Sequence, residues 1–264
     1  MAKVSVKLLG DLAAERGLVA PDEVPDDDVE TRSAFPAASP LALRLHAVPA
    51  GRHVRWRDSA RGHLIYIWSG SVVLGEQALE TGSMVIVEHG ASAELMGGSE
   101  GGEMLVFNAT DASPPPSRQG RNVHVLPAQD VPRVHTLRGN ADVGAAMFAN
   151  ARCPTCELWL HENTLRQAGM LVDPHYHTED EIIVVTAGEI VLGRRSYGRG
   201  TAIAVASDTI YGFSAGPSGL TFINFRPGQP TYARAGSKEP VDELAFYTEI
   251  GEPRYRRVPE GAGA

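Results

Sequence analysis

The sequence predicts an all-β protein made of two copies of one β-domain in tandem. Three observations carry this expectation: a turn-rich composition, short β-branched runs bounded by Gly or polar residues, and the return of those runs at a fixed offset. Glycine (28) and proline (18) make up 46 of 264 residues, above the ~12% usual for the two together. That many turn formers favours short strands over long helices.

The runs are LIYIWSGSVVLG (64–75), SMVIVEHG (83–90) and EMLVFN (103–108), then EIIVVTAGEIVLG (181–193), TAIAVAS (201–207) and LTFINF (220–225). An offset of 118 residues superposes the two sets. It pairs Gly51 with Gly169, Gly70 with Gly188, Gly75 with Gly193, Gly82 with Gly200 and Gly101 with Gly219. It also pairs Ile65 with Ile183, Ile67 with Val185, Val85 with Ile203 and Phe107 with Phe225. Glycine matching glycine means matched turns, and apolar matching apolar means matched inward faces. The chain therefore reads as an internal duplication. The expected divisions are an extended acidic arm (1–40) with a short helix near Leu8 to Arg16, a first β-domain (41–111), a Pro-rich linker (112–120), and a second β-domain with a short C-terminal helix or tail (121–264).

The formal net charge is −8, with no basic run, which argues against nucleic acid or an anionic membrane as partner. No stretch approaches the ~18 apolar residues of a membrane helix, and the first residues lack the apolar segment of a signal peptide. A cytoplasmic location is the expectation. Duplicated β-domains expose sheet edges, and a homodimer in which the arm and the tail 239–251 cover a neighbouring β-domain is expected on that ground.

Chemistry concentrates in the second copy. On an extended backbone His175 and His177 point the same way, and Glu181 follows at the entry to the next strand. Two imidazoles and a carboxylate on one face suit a divalent transition ion. The spacing Gly169-x5-His175-x-His177-x3-Glu181-x6-Gly188 resembles the first motif of the cupin superfamily at all five positions. That resemblance implies jelly-roll barrels, a bound metal and, with the duplication, a bicupin.

The second cupin motif is eroded. Gly200 is kept, but Ala206, Asp208, Tyr211 and Ala215 replace its Pro, Gly, His and Asn. Tyr211 stands where the fourth ligand belongs. Phenolate ligation, a catalytic hydrogen-bond donor and plain packing are all open to it. His161 is a second candidate for the missing ligand, or for a substrate contact. Trp159, Phe213, Asn224 and Arg226 are further candidates to line a substrate pocket. In the first copy the motif positions hold Arg57, Ser59, His63 and, opposite Tyr211, Ala93, a set that holds no metal.

The expectation is a metal-dependent bicupin enzyme on a small organic molecule. An Fe(II)-type dioxygenase leads, with Mn, Ni, Co or Zn as other ions the ligands accept. Lyase, isomerase or hydrolase chemistry on the same ion, or binding without turnover, are the alternatives. Cys153-Pro-Thr-Cys156 lacks a second ligand pair in the sequence and reads as a reduced pair in a turn. The glycine-rich segments 97–102 and 215–219 read as hairpin turns.

Overall fold

The structure is a computed structural model that describes residues 3–17, 20, 22–35, 39–58, 62–109, 120–237 and 239–258. It is almost entirely antiparallel strand and divides into two compact units. One holds 12–131, 154–156 and 254–264; the other holds 1–11, 132–153 and 157–253.

In the C-terminal unit the sheet order is Val4–Leu8, Thr201–Val205, Glu181–Leu192, Tyr211–Arg226, Trp159–Leu165, Val143–Asn150 and Arg133–Val134. Leu171–Tyr176 pairs with Tyr211–Arg226 and with Thr231–Arg234. In the N-terminal unit the order is Glu23–Pro25, His53–Trp56, Ala93–Ala109, His63–Leu74, Met84–Val87, Val123–Leu126 and Arg256–Val258, with Leu41–Val48 on Ala93–Ala109.

The offset of 118 holds in three dimensions. His63–Leu74 and Glu181–Leu192 are the same strand twice, as are Gln77–Glu80 and Arg195–Gly198. The two cores repeat it side chain by side chain. Ile65, Ile67, Val72, Val85, Val87, Leu95 and Met104 fill one, and Ile183, Val185, Ile190, Ile203, Val205, Phe213 and Phe222 fill the other. Each such buried side chain contributes about 1.5–3 kcal/mol. Ile183 and Val185 thus share the inward face with Glu181, as alternation requires.

The matched glycines have a physical reason. Gly70 and Gly188 sit at φ +65° and +66°, and a Cβ there would meet the carbonyl oxygen of Gly101 at 2.5 Å or of Gly219 at 2.2 Å. Only glycine combines that dihedral with that approach. The segments expected to be hairpin turns, 97–102 and 215–219, instead run inside the continuous strands Ala93–Ala109 and Tyr211–Arg226. They are bends where a long strand changes partners, and irregularities in register between Gly70 and Val72 and between Gly188 and Ile190 accompany them.

The acidic N-terminal segment is not an extended arm. Val4–Leu8 is a strand on Thr201–Val205, Glu23–Pro25 pairs with His53–Trp56, and Glu30–Ser33 pairs with Leu41–Val48. The helix expected near Leu8 to Arg16 shrinks to one 3-10 turn, Leu9–Asp11, because Val4–Leu8 finds a strand edge first. The tail likewise folds on its own chain. Val241–Asp242 pairs with Thr231–Tyr232, Glu243–Phe246 is a 3-10 turn, and Arg256–Val258 pairs with Val123–Val125. The expected linker lies outside the described residues except for Gly120. Among the described residues no helix is long and apolar enough to cross a membrane.

Candidate functional site

Three strands of the C-terminal unit bring the expected residues together. His175 leaves Leu171–Tyr176, Glu181 opens Glu181–Leu192, Tyr211 opens Tyr211–Arg226, and Asn224 and Arg226 close that last strand. His175 and Tyr211 are register partners, and so are His161 and Asn224. A cavity of about 210 Å³ lies at this end of the barrel. Val143, Leu165, Val172, Phe213, Phe222 and Phe246 give it apolar walls. His161, Asn163, His175, His177, Tyr211, Asn224, Arg226, Glu243 and Tyr247 give it a polar end. It is smaller than the ~300–1,000 Å³ of a drug-sized site, so its ligand has few atoms.

Both motif histidines are held from behind. His175 Nδ1 donates to the Asp173 carbonyl at 2.8 Å, and His177 Nδ1 donates to the Thr231 carbonyl at 2.5 Å. A neutral ring with its proton on Nδ1 presents a lone pair on Nε2. Both rings are neutral at pH 7: burial pulls His175 down, and burial followed by the charge of Arg226 pulls His177 to about 4. The rings stand 5.0 Å apart, centre to centre, with Tyr211 4.6 Å and Tyr232 5.1 Å from His175.

The chain's own cation also meets this motif. Arg226, fully buried, directs Nη2 to His177 Nε2 at 2.9 Å and to Glu181 Oε2 at 2.7 Å. Asn224 Nδ2 donates to the same Glu181 oxygen at 2.9 Å, and Glu243 Oε2 lies 3.2 Å from Arg226 Nη1. Burial raises the Glu181 carboxyl, but Arg226 and then His177 more than offset it and keep Glu181 ionised. Burial dominates at Glu243 and pushes it up to about 7 despite Arg226. Glu181 Oε1, Asn224 Oδ1 and Arg226 Nε are buried without a hydrogen-bond partner, and Arg226 Nη1 and Glu243 Oε2 meet each other only as an ion pair. Such a concentration of unmet polar valence is unusual in a folded interior.

As a metal-ligand set, the triad fits a divalent ion in donor type and protonation state, and both imidazoles are oriented by backbone carbonyls. Arg226 Nη2 already takes His177 Nε2 and Glu181 Oε2, so ion and guanidinium compete for two of the three ligands. Among the described residues, the ligand atoms that converge within 4.8 Å of one another belong to a separate group that includes Cys156.

The remaining candidates separate by geometry. Trp159 Nε1, a donor only, gives its proton to His161 Nδ1 at 2.7 Å, so the His161 proton sits on Nε2, 2.9 Å from Tyr247 Oη. His161 Nε2 also lies 2.9 Å from Asn163 Nδ2, so both ring nitrogens of His161 are engaged by groups of the chain. Trp159 does not line the cavity; it packs behind His161 among Leu137, Met147, Leu244 and Tyr247. Tyr211 lines it with a phenol whose pKa burial, and then Glu181, push well above the ordinary value, so it stays protonated. In the first copy Ser59 lies outside the described residues, and His63 turns to Asp22, 3.4 Å away. Sequence reading did not pick out Glu243 or Tyr247. The one sequence signal is an acid directly before the apolar run LAFY.

No family model matches the chain, and no curated protein matches it by sequence. Solved structures do. A Nostoc punctiforme protein provisionally assigned as a dioxygenase superposes with TM-score 0.65 at 12% identity, covering 86% of this chain and 84% of that one. The Lactobacillus farciminis oxalate decarboxylase, solved as a formate complex, gives 0.63 at 12% over 93% and 94%. A cupin 2 conserved barrel domain protein of Leptotrichia buccalis gives 0.55 at 8% over 84% and 96%. At these identities the likeness establishes fold. The chain therefore has the cupin-type barrel fold of these structures, carried twice.

Proposed function

We propose that the C-terminal barrel is a metal-dependent enzyme site for a small organic acid, of the dioxygenase type. His175, His177 and Glu181 are its ligands to one divalent ion, Fe(II) by preference. The observation that carries this is the pair of neutral imidazoles locked through Nδ1, which leaves their Nε2 lone pairs for an ion, beside the ionised Glu181. Such an ion supplies Lewis acidity and, as Fe(II), oxygen chemistry.

The chain's own residues then have defined tasks. Arg226 yields His177 and Glu181 to the ion and is retained by Glu243, already 3.2 Å from Nη1. With both carboxylates ionised, the charge of Arg226, Glu181 and Glu243 together is −1; a divalent ion makes it +1, which selects a substrate with carboxylate or enolate oxygen. Tyr211 donates its hydroxyl hydrogen to that substrate, and Phe213 and Phe222 hold its apolar part out of water. A molecule the size of formate, bound by the L. farciminis enzyme, is within the cavity's volume.

A metal-free binding barrel is favoured by one specific contact, Arg226 Nη2 to His177 Nε2. Elemental analysis of protein purified without oxygen decides between the two, read against His175→Ala. One equivalent of transition metal lost in the variant supports the enzyme. Equal metal in both supports the binding barrel. Oxygen uptake by the Fe(II) protein with small 2-oxo or 2-hydroxy acids, absent with Zn or Mn, separates the dioxygenase from lyase, isomerase or hydrolase chemistry.

A further inference from the structure

The cavity of the C-terminal unit has a second cation in its lining. Arg138 is exposed and lines the cavity together with Phe246 and Tyr232. It lies in a tight turn, in which Leu137 N–H donates to the Asn140 carbonyl at 3.3 Å and Asn140 N–H donates to the Leu137 carbonyl at 3.0 Å. The two residues between them, Arg138 and Gly139, have φ +52° and +74°. Positive φ at both central positions is the pattern of a type I′ turn, which Asn, Asp and Gly fill readily. Arginine at the first of these positions is strained. Its N–H donates to Glu249 Oε2 at 3.0 Å, which pins the turn. The guanidinium lies over the Phe246 ring, 5.1 Å from its centre. Phe246 meets Tyr232 edge-on at 5.0 Å, and Tyr232 stacks on His175 at 5.1 Å. A line of rings thus runs from the motif histidine outward, and Arg138 ends it. Other exposed arginines, Arg16, Arg52, Arg152 and Arg256, each meet a carboxylate within 3.1 Å. Arg138 forms no ion pair among the described residues.

We propose that Arg138 is a specificity-determining residue, the outer anchor for the second carboxylate of a dicarboxylic acid. The inference rests on the reading of this cavity as a metal site for a small organic acid, and it names the class of acid. One carboxylate goes to the polar end beside His175 and His177, and the other goes to Arg138. The hydrocarbon between them lies along Val143, Val172 and Phe213. A cavity of about 210 Å³ keeps that spacer short. A guanidinium laid on an aromatic face still offers the N–H groups of its edge to both oxygens of a carboxylate. Arg138 also adds its charge to the net positive charge of the ion-loaded polar end, which two carboxylates answer better than one. The strain in the turn then has a reason. Asn or Gly would relax the backbone there but bring no cation to the cavity.

The test is titration calorimetry on the full-length chain loaded with Mn²⁺. It compares acids matched in length, butanedioate against butanoate and pentanedioate against pentanoate. In at least one pair the dicarboxylate is expected to bind about tenfold more tightly than its partner. In Arg138→Gln that ratio should fall below about threefold, little more than the statistical advantage of two identical ends. Arg195→Gln removes the same charge from an exposed hairpin that does not line the cavity, and should keep the full ratio. Arg138→Gly removes strain and guanidinium together, so it should melt close to wild type and lose the preference. An arginine that only held the turn would show the reverse, a lower melting point with the preference intact. A wild-type ratio below threefold in both pairs, or a ratio that survives Arg138→Gln, overturns the inference. His175→Ala reads the ion separately. It should weaken both members of a pair and leave their ratio, whereas affinities indifferent to Mn²⁺ and to this variant would count against the metal site alone.

Discussion

Replacing Arg226 with methionine removes a buried charge while nearly keeping its length. In wild type that charge answers Glu181 at 2.7 Å and Glu243 at 3.2 Å. Breaking a buried ion pair from one side costs ~3–5 kcal/mol, because the partner stays charged and desolvated. For a chain of this size each kcal/mol moves the melting point by ~2–4 °C, so the metal-free variant melts roughly 10 °C below wild type. The effect on an ion has the opposite sign. Two unit charges 4 Å apart interact by ~4 kcal/mol at an effective dielectric of 20, and a divalent ion beside the guanidinium would feel about twice that. Part is relieved when Arg226 turns to Glu243, but about 1.4 kcal/mol already equals tenfold in affinity. Arg226→Met is therefore expected to bind Mn²⁺ or Fe²⁺ at least tenfold more tightly, and the ion should restore most of the lost melting temperature. Thermal melts with and without metal, and competition against a chelator, read both effects. An unchanged metal-free melting point would show that Arg226 carries no structural charge load. Unchanged or weaker ion binding would show that it does not compete for the ligands.

Three further outcomes follow from the same geometry. Glu243 has its folded pKa raised from 4.5 to about 7, so its share of stability is complete below pH 4.5 and is lost as pH rises through 7. Wild type should lose ~3 kcal/mol from this group between pH 5 and 8, whereas Glu243→Gln should not; parallel urea midpoints across that range refute the assignment. Tyr211→Phe is expected to keep metal content and melting temperature while turnover falls ten- to a hundredfold, and ferric protein should show no phenolate-to-iron band; a visible band that the variant lacks would make Tyr211 a ligand instead. Gly188→Ala forces a Cβ to 2.2 Å from the Gly219 carbonyl at φ +66° and should cost more than ~3 kcal/mol; a variant melting within 2 °C of wild type would contradict that geometry.

The fold was legible because both of its signals are local. Alternating apolar residues mark the strands, and paired glycines mark bends that no other residue tolerates, so an offset of 118 could be followed through a single sequence. The site was half legible for the same reason. His175, His177 and Glu181 lie within seven residues, and strand parity aims them together. Glu243 and Tyr247 come from a segment whose placement depends on Thr231–Tyr232 pairing with Val241–Asp242, a contact that leaves no periodic trace. Arg226 was recognisable as facing inward. That it would take two of the motif's three ligands depends on distances that parity does not encode. The N-terminal segment misled because Asp and Pro read as solvent-exposed chain, whereas Glu23 is fully buried against Arg44.

That buried glutamate gives the duplication its own internal control. Inside the N-terminal barrel Glu23 accepts from Arg44 Nε at 2.7 Å, Arg44 Nη2 at 2.6 Å, His46 Nε2 at 2.8 Å and Trp56 Nε1 at 3.3 Å. His46 Nδ1 meets Thr31 at 2.8 Å, and Arg44 also reaches Asn108 at 2.9 Å. Asn108 stands at the offset position of Arg226. Both barrels thus bury a guanidinium against a carboxylate near a histidine, but the polar valences are treated differently. Glu23, Arg44, His46 and Asn108 leave no buried atom without a hydrogen-bond partner, whereas Glu181, Asn224, Arg226 and Glu243 leave five. A closed network rigidifies a core; an open one loses stability unless something else binds to it. The N-terminal copy is not free of such atoms, since His63 Nδ1 is also buried without a hydrogen-bond partner. Only the C-terminal copy gathers them on the network that keeps His175, His177 and Glu181, and that concentration is the reason to place the chemistry there.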